Sequence, residues 1–178
     1  MPDSTVGGAN REHGYRCTRD KADLESMLDP MRLAHINLVA RDVEALAAFY
    51  VNVMKCEVLR ELKILSGENV SRGNGLSNSE IRSIWLKFSE LEQPFLELHE
   101  HIFTHHRDQP RVNEPSFGHL AFQIEDISST LSNIINAGGA QIGQITDFGI
   151  SERPYLIVYA RDPEGNMLEL EQRSPIHY

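Results

Sequence analysis

The nine residues that begin at His35, His-Ile-Asn-Leu-Val-Ala-Arg-Asp-Val, return from His119 as His-Leu-Ala-Phe-Gln-Ile-Glu-Asp-Ile, an offset of 119 − 35 = 84. Histidine falls on histidine, apolar on apolar one and three positions later, and Asp126 on Asp42, with no gap. A second slide of 169 − 97 = 72 lays 157–171 over 85–99, again ungapped, with Leu-Glu-Leu on Leu-Glu-Leu. Self-similarity of this length means two copies of one supersecondary unit. Each copy reads β-α-β-β-β. A strand from Arg32 is followed by a helix with Asp42 as its N-cap, a strand from Cys56, a Gly/Asn/Ser loop over 65–80, and strands from Ile81 and Pro94. After a polar, proline-containing linker (101–116) come a strand from Phe117 that includes His119, a helix ended by Gly138 and Gly139, a short strand and turn, and strands from Tyr155 and Asn166.

The expected fold is therefore α+β, with modules 32–100 and 116–175 in a single domain over 32–175 and a polar arm over 1–31 that lacks clear periodicity. Alternation along the strands fixes directions. Ile36 and Leu38 oppose His35, Asn37 and Val39, and Leu120, Phe122 and Ile124 oppose His119, Ala121 and Gln123. Glu97 lies between Leu96 and Leu98, and Glu169 between Leu168 and Leu170. If the aliphatic rows pack under the helices, the other faces line a concave interior holding His35, Glu97, His119 and Glu169. A lone histidine or glutamate in a strand is ordinarily hydrogen-bonded or solvated. Four at duplicated positions suit one divalent ion (Fe, Mn, Ni, Co or Zn), and six-coordinate geometry would leave two adjacent places for substrate or water. The competing reading is a polar cleft without metal.

Composition narrows the partners. A formal charge of −9, a pI near 5.3 and the absence of any Lys/Arg-rich run argue against nucleic acid and anionic membrane surfaces. No apolar signal segment or membrane-length stretch occurs, and Cys17 and Cys56 are not in a Cys-x-x-Cys spacing. A cytoplasmic protein with free thiols is expected.

The paired modules, together with Ala-His-Ile-Asn-Leu-Val-Ala-Arg-Asp-Val, Phe-Leu-Glu-Leu-His-Glu-His, Phe-Gly-His-Leu-Ala-Phe-Gln-Ile-Glu-Asp-Ile and above all Ala-Arg-Asp-Pro-Glu-Gly-Asn-Met-Leu-Glu-Leu-Glu-Gln, resemble the vicinal oxygen chelate superfamily. That superfamily spans glyoxalase I, extradiol dioxygenases, epimerases and drug-binding resistance proteins. The resemblance covers about 32–173. It implies a cupped, barrel-like sheet around a metal, a homodimer, a small-molecule substrate, and His35, Glu97, His119 and Glu169 as ligands. Glu169 matches the family's proton-shuttling glutamate, and Glu97 could exchange roles with it. Glyoxalase I typically carries arginine four positions after its first ligand and asparagine four after its second. Val39 and His101 stand there, which argues against a glutathione adduct as substrate.

The favoured activity is that of a lyase or isomerase moving a proton beside a metal-chelated carbonyl. An Fe(II) or Mn(II) extradiol-type dioxygenase is one alternative, although its three-ligand set leaves no role for Glu97. A non-catalytic binder is the other, and such binders typically lack the ligands. The histidines at 99, 101, 105 and 106 read as part of a solvated segment, although His99 alone shares Glu97's face and, with Asn37, Gln123 and Glu171, is placed to orient ligands or substrate. Trp85, Tyr155 and Tyr159 read as packing, and 162–166 as a structural turn with Gly165 and Asn166 left-handed.

Overall fold

A computed structural model describes residues 31–89 and 93–174; the expected arm, apart from Met31, lies outside them. The residues from Leu33 onward form one compact unit. In the first module β1 (His35–Val39) leads to α1 (Val43–Asn52), then β2 (Glu57–Ser66), α2 (Glu68–Asn74), β3 (Glu80–Lys87) and β4 (Phe95–His101). The sheet order is β1-β4-β3-β2, with β1 parallel to β4 and the other pairs antiparallel. The second module runs β5 (Leu120–Gln123), α3 (Ile127–Asn136), β6 (Ala140–Gln141), β7 (Thr146–Asp147), β8 (Tyr155–Arg161) and β9 (Met167–Arg173). Its order is β5-β9-β8-β6, and β7 also pairs with β8. The duplicated βαβββ plan is thus present as two mixed sheets.

The helices start where the repeat places them. Asp42 accepts from the Ala45 amide and Asp126 from the Ser129 amide, each at 2.9 Å, satisfying a donor the first helical turn leaves free. Beneath the helices the aliphatic rows close one core. Leu96, Leu98, Leu168 and Leu170 are fully buried with Leu46 and Tyr50 of α1 and Ile134 of α3. Each such leucine contributes about 1.5–3 kcal/mol. Gly138 takes a left-handed φ of +90 to end α3, and at Gly139 any Cβ would collide with the Arg161 carbonyl, which ties the helix end to β8.

Four expectations are corrected and one is met. The loop over 65–80 contains α2, a helix with no buried residue. It is held by local polar contacts, Ser79 amide to Ser71 Oγ and Asn74 Nδ2 to Ser79 Oγ, so it has no apolar stripe to read. His119 is not inside β5 but just before it, because pairing with β9 begins at Leu120↔Leu168. The short strand and turn expected after the second module's helix are there, as two-residue strands β6 and β7 along β8. The 72-residue slide needs a gap at the hairpin. Leu86 faces Leu96 (96 − 86 = 10) whereas Ala160 faces Leu168 (168 − 160 = 8), so the structural counterpart of Trp85 is Tyr159. In the 162–166 turn only Gly165 is left-handed (φ +89); Asn166 is not, and its amide and side chain instead donate to Asp162 at 2.9 Å each.

That turn joins the modules. Tyr50 donates to Asp162 Oδ2 at 3.0 Å, and Glu164 accepts from Arg41 Nε at 2.6 Å and from the Arg41 and Asp42 amides at 2.9 and 3.1 Å. Burial pushes the Asp162 carboxyl up and the Tyr50 phenol well up. Among the described residues no helix is long and apolar enough to cross a membrane.

Candidate metal centre

Parallel pairing of β1 with β4 sets Asn37 beside Glu97, and antiparallel pairing of β3 with β4 sets Trp85 on its other side. The Glu97 carboxylate therefore meets His35 Nε2 at 3.4 Å, accepts from Trp85 Nε1 at 2.8 Å and accepts from Asn37 Nδ2 at 3.3 Å. In the second module Glu169 lies between Ala121 and Tyr159, and its Oε2 is 3.5 Å from His119 Nε2. Hydrogen bonding to Glu169, then burial and that carboxylate's charge, push the Tyr159 phenol up to about 12. The two histidines are braced alike, His35 stacked on Phe95 and His119 edge-on to Tyr159, each at 5.2 Å between ring centres.

Each module thus brings one imidazole nitrogen close to one carboxylate oxygen, at 3.4 Å in the first and 3.5 Å in the second. Donors bound at about 2.1 Å and at right angles to each other lie about 3 Å apart. Separations of 3.4 and 3.5 Å come close to that spacing, so each pair fits two adjacent corners of a coordination sphere. The histidines are open to solvent, with side chains 44% and 35% exposed, whereas both carboxylates are 12% exposed. The structure brings His35 to Glu97 and His119 to Glu169; among the described residues it gathers no group of three or more metal-binding side chains.

Three neighbours were not read as site residues from the sequence. Trp85 and Tyr159 were assigned to packing, yet each stands opposite a candidate ligand on the adjoining strand, and the Trp85 indole donates to the Glu97 carboxylate. Arg60 of β2 pairs with Trp85 and lays its guanidinium carbon 3.5 Å from the indole centre. The signal for all three was the antiparallel register, which becomes readable only once the hairpin length is known. His99 lies 3.1 Å from Glu97 Oε1 but is misaligned for a hydrogen bond, and its Nε2 is buried without a partner. Burial holds this imidazole below its ordinary range, against the pull of Glu97. His106, by contrast, is largely exposed beside Asp108 at 3.4 Å, as expected of the linker.

Comparison with known proteins places these features. The family model described as Glyoxalase/Bleomycin resistance protein/Dioxygenase superfamily matches residues 32–170. A glyoxalase family protein from Bacillus cereus is similar at 17% identity and a TM-score of 0.74, over 84% of this chain and 99% of that one. Glyoxalase I from Zea mays is similar at 21% identity and a TM-score of 0.57, over 81% of this chain and 45% of that one. A glyoxalase/bleomycin resistance protein/dioxygenase family enzyme from Burkholderia phytofirmans is similar at 15% identity and a TM-score of 0.51, over 80% and 98%. At these identities the likeness is one of fold. No curated protein matches the sequence.

Proposed function

This chain belongs to the Glyoxalase/Bleomycin resistance protein/Dioxygenase superfamily, and on that premise we propose that it is a metal-dependent lyase or isomerase that moves a proton beside the carbonyl of a small chelated substrate. The observation that carries the reading is the duplicated pair, His35 with Glu97 and His119 with Glu169. These four side chains would hold one divalent ion per chain, which when bound polarises the substrate oxygen and acidifies the neighbouring C–H.

The two carboxylates are not equivalent. Glu97 is gripped by an indole and an amide donor, a setting that favours a fixed ligand. Glu169 has His119 and Tyr159 beside it and is freer to turn, take the proton at a carboxylate oxygen and return it. The Tyr159 hydroxyl steadies the charged form while it waits. With Val39 and His101 where glyoxalase I typically grips glutathione, the substrate is not a glutathione adduct. A dioxygenase is less well supported, because Glu97 would occupy a position that its substrates need.

The halves meet, on this reading, in a homodimer in which the first module of one copy faces the second module of the other. Both ligand faces are open, each carries half a donor set, and β2 exposes Val58, Leu59, Leu62 and Ile64 for a second copy to cover. The test is metal analysis of protein purified without chelator. About one equivalent per chain is expected, lost in His35→Ala and in His119→Ala. Stoichiometric metal in both variants would falsify the assignment.

A further inference from the structure

Four arginines of the described residues sit against carboxylates: Arg41 on Glu164, Arg72 on Glu68, Arg82 on Glu44 and Glu100, Arg173 on Glu171. Arg161 is satisfied by the carbonyls of Gly165 and Pro110. Arg60 differs. Its guanidinium lies flat on Trp85 and donates to Ser83 Oγ at 2.7 Å, and its buried Nε–H has no partner. No carboxylate of the described residues pairs with it. Ser83 is fully buried, so the fork is held from below by one of its five N–H donors, and no other protein hydrogen-bond partner for the guanidinium occurs among the described residues. Lys63 pairs with Ser83 on the same face of β2 and likewise has no carboxylate partner among the described residues.

A cation taken partly out of water without a counter-ion is unfavourable unless its partner arrives with a ligand. Burial lowers the pKa of Arg60, against the charge of Glu97, in keeping with a poorly solvated cation. Stacking on an indole and a single hydroxyl contact pre-organise a planar donor that suits a carboxylate. Arg60 stands on the strand next but one to that of Glu97, Trp85 lying between. Adjacent strands are about 4.8 Å apart, so an anion on Arg60 lies a few bonds from a carbonyl at the His35–Glu97 end.

We propose that Arg60, backed by Trp85 and Ser83 and flanked by Lys63, is the anion-recognition residue of this cleft, and that the substrate is a small carbonyl compound bearing a carboxylate a few bonds away. This rests on the proposed function for the role of the carbonyl but not for the anion site, and the two are separable by experiment.

Trp85 is the only tryptophan, so its fluorescence reports directly on Arg60. The full chain, with and without added metal, is titrated with 4-oxopentanoate and with its neutral near-isostere 2,5-hexanedione. The anion is expected to bind roughly tenfold or more tightly than the diketone, in the metal-free protein as well. Arg60→Gln should abolish that preference, and Arg60→Lys should restore part of it, with unchanged thermal unfolding. No preference in the parent, or a preference that survives in folded Arg60→Gln, overturns the proposal, and the parent measurement decides even if the variant does not fold. A protein that takes up no metal yet shows the Arg60-dependent preference would remove the metal reading and leave the anion site standing.

Discussion

Trp85 donates its indole N–H to Glu97 at 2.8 Å across the β3–β4 ladder, and Tyr159 stands in the same register opposite Glu169 across β8–β9. The duplication has therefore kept an aromatic donor beside each carboxylate but changed its chemistry. An indole can only donate and holds its acceptor in one direction. A phenol on a rotatable hydroxyl can follow a carboxylate that moves.

Trp85→Phe keeps an aromatic ring for Arg60 and for Phe95, whose ring centre is 4.5 Å away, but removes the donor to Glu97. The fold should survive, and metal affinity should fall by about tenfold or more, as it does when a ligand loses its orienting partner. Competition with a chromophoric chelator measures it. Affinity within twofold of the parent would show that the indole does not orient Glu97.

Exchange of modules between copies makes a different demand. In a mixed dimer of His35→Ala with His119→Ala, one site carries both lesions and the other carries neither. Unfolding and refolding the two metal-free variants together should restore roughly a quarter of an equivalent of metal per chain, from the half of the chains in mixed dimers. Sites completed within one chain would each keep a lesion, and no recovery would follow.

Much of this was legible because period-2 alternation and an 84-residue offset act together. The same positions carry the same residue types twice, and Ile36, Leu38, Leu96 and Leu98 pack into the core while His35 and Glu97 do not. What stayed hidden depended on distances along the chain that no local pattern encodes. A hairpin two residues longer in the first module moved the counterpart of Tyr159 from Lys87 to Trp85, so the donors beside the glutamates were read as packing. The helix Glu68–Asn74 escaped because polar contacts, not a buried face, hold it together. Arg60 looked like any charged strand residue until the register with Trp85 showed which side it faced.

Cys56 gives the fold a pH dependence of its own. It is 4% exposed, and burial pushes its thiol up to about 11. An unfolded thiol ionises near 8.5, so between about 8.5 and 11 the native state retains a proton that the unfolded chain releases. The stabilisation is complete below about pH 8.5 and declines as pH rises through that window, by at most about 1.4 kcal/mol per unit. Urea unfolding of the parent and Cys56→Ala at pH 8, 9 and 10 should show the steeper fall in the parent. Parallel curves would mean that the thiol titrates alike in both states.

The division of labour between the carboxylates makes the sharpest demand on mechanism. Glu169→Gln still offers an amide oxygen for coordination, so it should keep substantial metal, yet an amide is not a useful base. With a carbonyl substrate that turns over, this variant should lose both turnover and solvent deuterium exchange at the substrate carbon, by about a hundredfold or more. Glu97→Gln should retain part of both, since Trp85 Nε1 and Asn37 Nδ2 still have an oxygen to hold. Mass spectrometry of recovered substrate reads the exchange independently of product formation. If Glu169→Gln exchanges deuterium as fast as the parent while Glu97→Gln is dead, the carboxylate roles are reversed, and the firmer grip on Glu97 would mark a base held in line rather than a fixed ligand. If both variants exchange at the parent rate, neither carboxylate moves the proton, and oxygen uptake with catechols becomes the measurement that matters next.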